Sequence, residues 1–258
     1  MPKIAANLNL LFQEVPVAER IGAAKKAGFA GIEFLIPYDQ SAITLAADLE
    51  KHHMPLVLIN TPAGDWDAGE RGMAAIPNRV QEFRDGFRRA LEIGEITRPE
   101  TIHIMAGIAQ GPDSLHCYLD NLNWACSLAP DRLFLIEPIS AAGCAGYFLN
   151  SLAQARDIIT ELALPNLFLQ FDVFHAAMSG QDPISAFDRY QPLIRHIQIA
   201  SVPDRAEPDH GTVDIQAFIA HVTQRGYNHW ISAEYFPAAD TAQGLNWLAC
   251  YNKNQAQD

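Results

Sequence analysis

The sequence is short of positive charge, of cysteine and of long apolar runs, and each shortage removes a class of protein. Lys and Arg number 18 against 30 Asp and Glu, a formal charge of -12. A binder of phosphate backbones needs the opposite surplus, because its cations must displace condensed counterions. Nucleic acid is therefore not an expected partner. No apolar run approaches the roughly 20 residues that span a bilayer, so no membrane partner is expected either. Cys117, Cys126, Cys144 and Cys250 form no CxxC pair and no metal-ligand spacing. They read as small buried hydrophobes with reduced thiols. The start, MPKIAANLNLLF, lacks a charged leader, a long apolar core and a small-residue cleavage site. A cytoplasmic protein with a small-molecule substrate is expected, and the composition leaves a homo-oligomer open.

What is present is an alternation. Short apolar runs rich in β-branched residues occur at 3–8, 30–35, 55–60, 101–106, 132–137, 167–172, 194–199 and 229–234, eight in all, separated by longer segments of helical period. Ala155, Ile158, Ile159 and Leu162 share one helix face, as do Ile215, Phe218, Ile219 and Val222. Asp182 before Pro183 reads as an N-cap, and Gly28 and Gly226 as helix ends. Alternating strands and helices build a parallel sheet. A chain of 258 residues has the size of one (β/α)₈ TIM barrel, read here as a single domain over 1–258. Asn7 to Leu11 shows no GxGxxG, which favours a closed barrel over an open nucleotide-binding sheet. The segment from Thr61 to Pro77, rich in Gly, Asp and Ala, is long enough to be a mobile cover over the strand ends.

In a parallel barrel the C-terminal strand ends surround the active site. Strands five to eight run into Glu137, Asp172, Gln198 and Glu234, respectively. Strands that are neighbours around the barrel let these side chains converge. Three carboxylates so close repel one another unless a cation lies among them. Carboxylates plus an amide oxygen make a hard donor set, suited to one divalent ion such as Mg²⁺ or Mn²⁺, with Co²⁺ also to be tried. His175, three residues after Asp172, is a candidate substrate hydrogen-bonding group or a solvent-facing histidine at a helix start. Arg205, in the loop after strand seven, is placed to bind a substrate carboxylate or hydroxyl. For Arg71 the same role competes with that of a surface charge, and His103 reads equally as core or site.

The stretches Leu135-Ile136-Glu137-Pro138-Ile139, Gly146 to Asn150, Asp172 to His175, His196 to Pro203, Ala233-Glu234-Tyr235 and Gly64 to Gly72 resemble the hydroxypyruvate isomerase family over most of the chain. The resemblance implies a xylose isomerase-like barrel. It also implies interconversion of hydroxypyruvate and tartronate semialdehyde, or action on a 2-oxo-tetronate. It makes Glu137 and Glu234 both metal ligands and the acid/base pair, with Asp172 and Gln198 completing the metal set. Three alternatives stand beside it: a ketose 3-epimerase, an endonuclease IV-like nuclease and a barrel that binds a metabolite without catalysis. The first two usually carry a histidine where this chain has Gln198.

Overall fold

The computed structural model describes residues 2–255. Eight parallel strands close into a barrel in sequence order: β1 (Lys3–Asn7), β2 (Gly31–Phe34), β3 (Leu56–Asn60), β4 (Thr101–His103), β5 (Leu133–Ile136), β6 (Leu167–Asp172), β7 (Ile194–Ile199) and β8 (Trp230–Ala233). β8 pairs with β1 through Lys3 to Ala6, which leaves no free sheet edge in the barrel. Outside the strands lie α1 (Val17–Ala27), α2 (Ala42–His52), α3 (Val80–Thr97), α4 (Pro112–Leu128), α5 (Leu152–Leu162), α6 (Val173–Met178), α7 (Pro183–Tyr190), α8 (Ile215–Gln224) and α9 (Asn246–Gln255). No helix among the described residues is long and apolar enough to cross a membrane.

The helices begin where the residue types require it. Ser151, Asp182 and Asp214 each accept a hydrogen bond from a backbone N–H of the first turn, satisfying a donor with no partner inside the helix. Gly28 closes α1 at φ 96°, a conformation a side chain would oppose. The apolar stripes predicted for α5 and α8 face inward: Ala155, Ile158, Ile159, Ile215, Phe218, Ile219 and Val222 are all buried.

Strand periodicity then sorts residues into two layers. Phe171, Ile197 and Ile231 belong to the main core that the helices cover, where Phe171 stacks on Phe218 at 6.1 Å. Ala5, Val57 and Trp230 form a small separate apolar cluster. The alternate positions, Asn7, Glu33, Gln170, Asp172, His196, Gln198 and Ser232, are buried polar groups. A core of this kind is stable only where the groups find partners.

Some strands end earlier than the apolar runs suggest. β4 stops at His103 rather than Ala106: the Ile104 N–H still donates to Leu135 O of β5, but beyond it Met105 O and Ala106 O accept from Ala74 and Ala75 on the segment before α3. Glu137 and Glu234 stand one residue beyond β5 and β8, with the Glu234 N–H still donating to Ile199 O of β7.

Candidate active site

Asp172 is the last residue of β6, and its Oδ1 caps α6 by accepting from Phe174 N at 2.7 Å. One turn of that helix brings His175 back, its Nε2 3.5 Å from Asp172 Oδ2. Ser140 Oγ lies 3.0 Å from His175 Nδ1 and holds the ring from behind. Glu137 completes the group: Glu137, Asp172 and His175 each offer an atom capable of ligating a metal, all within 4.8 Å of one another. His175 is buried in this cluster rather than facing solvent.

Arg205 is the cation among these acids. Its Nη2 donates to Asp172 Oδ2 at 3.2 Å and to Glu234 Oε1 at 3.0 Å, while its guanidinium lies 4.9 Å from the Phe174 ring centre. The backbone at Arg205 sits at φ 53°, a left-handed conformation costly for a residue with a Cβ and found where a site dictates aim. Phe236 N donates to Arg205 O at 2.9 Å, tying the loops after β7 and β8 together.

Burial disfavours the charged form of a carboxyl, and neighbouring negative charge adds to it. Glu137 is pushed well above the ordinary range by burial first, then by Glu234 and Asp172. Glu234 is raised by burial to about 8, against the pull of Arg205. The two histidines go the other way. Burial lowers His103 to about 3 and His175 to about 4, leaving both neutral.

Glu137, Glu234, Arg205, His175, His103 and Arg71 all line one cavity of about 310 Å³, at the lower end of small-molecule pocket sizes. Arg71 is thus a cavity residue, not a surface charge. Its segment is docked rather than loose: Thr61 N donates to His103 O, Gly72 N to Ala63 O and Ala75 N to Ala106 O, each at 2.8 Å.

Asp172 and Gln198 stand behind this lining. Gln198 donates from Nε2 to Glu33 Oε1 at 2.9 Å and accepts at Oε1 from Gln170 Nε2 at 2.7 Å. Glu33 also accepts from Asn7 Nδ2 at 2.9 Å, and His196 Nε2 lies 3.0 Å from its other oxygen. Sequence reasoning missed this set beneath the mouth. Its available signal was parity: Glu33 is an acid within a short apolar run, and Gln170 and His196 lie two residues before Asp172 and Gln198.

A closed eight-stranded barrel with carboxylates at its C-terminal mouth defines a class, the xylose isomerase-like TIM barrels, and the model of that family matches residues 21–250. A 2-oxo-tetronate isomerase of Cupriavidus necator is 40% identical over 97% of this chain and 99% of its own length. A hydroxypyruvate isomerase of Escherichia coli is 34% identical over 97% and 100%. The crystal structure of a protein named AP endonuclease, family 2, from Brucella melitensis superposes with a TM-score of 0.94 at 39% identity, covering 97% of this chain and 99% of that one. Within the class, the chain belongs to the hydroxypyruvate isomerase family and is an isomerase.

Proposed function

We propose that the protein is a divalent-metal-dependent isomerase of a small hydroxy-keto acid, hydroxypyruvate or a 2-oxo-tetronate, that moves a proton between adjacent carbons through an enediolate. The observation that carries this reading is a pair of buried carboxyls, Glu137 and Glu234, lining one cavity, both raised by burial above the ordinary carboxyl value, so that each can hold a proton and give it up. One carboxylate removes the proton from the hydroxyl-bearing carbon next to the carbonyl, the hydroxyl proton passes to the former carbonyl oxygen, and the other carboxyl delivers a proton to the former carbonyl carbon. His175, Arg205 and Arg71 are placed to hydrogen-bond the substrate oxygens.

Glu137, Asp172, Gln198 and Glu234 would hold Mg²⁺ or Mn²⁺, or Co²⁺, with His175 as an adjoining nitrogen donor. The donors fit: three carboxylates destabilise one another without added positive charge, and the Gln198 oxygen keeps a lone pair free while Glu33 fixes the amide nitrogen. When bound, such an ion withdraws charge from the substrate's carbonyl and hydroxyl oxygens and so acidifies the C–H bond. Free Cys117, Cys126 and Cys144 support a reducing, cytoplasmic setting.

The name of the Brucella melitensis protein favours a second reading, a nuclease. Against it stand the charge of -12 and, among the described residues, a single metal-capable cluster containing one histidine. The test is turnover of hydroxypyruvate, 2-oxo-tetronates, ketoses and abasic-site DNA, each with Mg²⁺, Mn²⁺ or Co²⁺ and with chelator. Metal-dependent isomerisation of an acid is expected. Cleavage of DNA without isomerisation, or full activity in chelator, would overturn the reading.

A further inference from the structure

The cavity holds acids and two arginines. Glu137 and Glu234 line it, and the charge of Arg205 is already shared between Glu234 and Asp172 behind it. Arg71, on the docked segment between β3 and α3, lines it as well. Arg71 and Arg205 are the two arginines that line it among the described residues, and no lysine does.

Arg71 is held in place without being neutralised. Its Nη1 donates to Trp66 O at 3.1 Å and to Glu70 O at 2.6 Å, and its guanidinium lies 3.5 Å from the Trp66 ring centre. Among the described residues Nε and Nη2 make no hydrogen bond and no carboxylate pairs with the group. The adjacent acid is turned away: Glu70 Oε1 takes Arg79 Nη1 at 2.5 Å, and Oε2 accepts from Asp65 N at 2.7 Å. Two glycines make this possible. Gly64, at φ 86°, leaves room for Glu70, whose Oε2 lies 2.0 Å from where a Cβ would be. Gly72, at φ 104°, lets the segment press against Met105, whose backbone oxygen is 2.4 Å from its own would-be Cβ. The segment thus spends its acid on Arg79 and leaves a stacked guanidinium with an open Nε–Nη2 edge, the fork that a carboxylate fills with two parallel hydrogen bonds.

We infer that Arg71, braced on Trp66, is the anchor for the substrate's carboxylate and selects short hydroxy-keto acids over neutral ketoses of the same length. This rests on the isomerase reading above and adds its charge specificity. A substrate carboxylate placed beside Glu137 and Glu234 would meet acidic side chains. Placed on Arg71, it leaves the hydroxy-keto carbons toward Glu137 and Glu234. A neutral ketose fills the same space but forgoes that pair of charge-assisted hydrogen bonds, so it gains nothing from Arg71.

The test compares wild type with Arg71→Met and Arg71→Lys. The substrate is whichever acid, hydroxypyruvate or a 2-oxo-tetronate, wild type turns over. The competitor is dihydroxyacetone, which carries a hydroxymethyl group where hydroxypyruvate has its carboxylate. Arg71→Met should raise KM for the acid on the order of 100-fold with a smaller fall in kcat, as expected for a lost charged hydrogen-bond pair. Arg71→Lys should recover part of it, and the inhibition constant of dihydroxyacetone should stay within about twofold. Calorimetric titration with glycerate, an unreactive three-carbon acid with a single carboxylate, should show the same loss of affinity without any turnover. An unchanged KM and glycerate affinity in Arg71→Met, or an equal weakening of dihydroxyacetone, would overturn the assignment. Wild type that turns over neither acid would overturn the isomerase reading instead, and the glycerate titration would still decide Arg71.

Discussion

Glu33, inside β2, and Glu234, one residue beyond β8, are both buried glutamates of the barrel, yet the protein treats them in opposite ways. Glu33 meets Asn7, Gln198 and His196 at 2.9, 2.9 and 3.0 Å. Each contact is a donor or a group able to become one, so the buried charge is compensated within the barrel. Glu234 has Arg205, but Arg205 also serves Asp172 and lies under the influence of Glu137, so one cation answers for three acids. The carboxyls at the mouth are therefore driven upward by burial and by one another. A compensated buried carboxylate braces a fold, and an uncompensated one is primed to exchange a proton or to bind a cation.

The comparison breaks if substitutions in the two regions behave alike. Glu137→Gln or Glu234→Gln should lower kcat by roughly 10² to 10⁴, the usual span for general acid–base groups, while melting temperature holds or rises as repulsion is removed. Steady-state kinetics and thermal unfolding of both variants check this. Glu33→Ala should do the reverse in kind. It leaves donors on Asn7 and Gln198 without an acceptor, costing about 3 kcal/mol of stability by denaturant titration. Near-normal turnover in Glu234→Gln, or no stability change in Glu33→Ala, would erase the distinction.

A smaller effect is expected from pH. The carboxyls of Glu137 and Glu234 titrate higher folded than unfolded, so the folded metal-free protein binds protons that the unfolded chain releases. Their contribution to stability is complete below the ordinary value of 4.5 and is lost as pH rises through their raised folded values, about 8 for Glu234. Chelated protein should therefore melt at progressively lower temperature between these limits, and added Mg²⁺ or Mn²⁺ should flatten the slope. Smallest of all, Asp182→Ala should cost about 1 kcal/mol through the lost cap of α7 and leave turnover unchanged, as expected far from either carboxylate group.

The barrel was legible because its information is local. Each strand is an apolar run, Ile215, Phe218, Ile219 and Val222 repeat at helical spacing, and Asp182-Pro183 marks a helix start within two residues. The residues that end strands five to eight could be placed at the mouth for the same reason. What could not be read depends on pairs far apart in sequence. Glu33 meets His196 and Gln198 across 163 and 165 positions, and nothing near Glu33 announces them. The same holds for Arg205, whose bridge to Asp172 and Glu234 spans 33 and 29 residues, and for Arg71, whose opening into the cavity depends on how Gly64 and Gly72 fold the segment.

The most direct test of proton transfer between two carboxyls is to run the isomerisation in deuterated water and locate the label by NMR. If one glutamate removes the proton and the other supplies the new one, the product carries solvent deuterium on the carbon that gains hydrogen. Product free of deuterium at that carbon would mean that the hydrogen passed directly or on a single shielded group, and it would contradict the assignment of Glu137 and Glu234 as an acid/base pair.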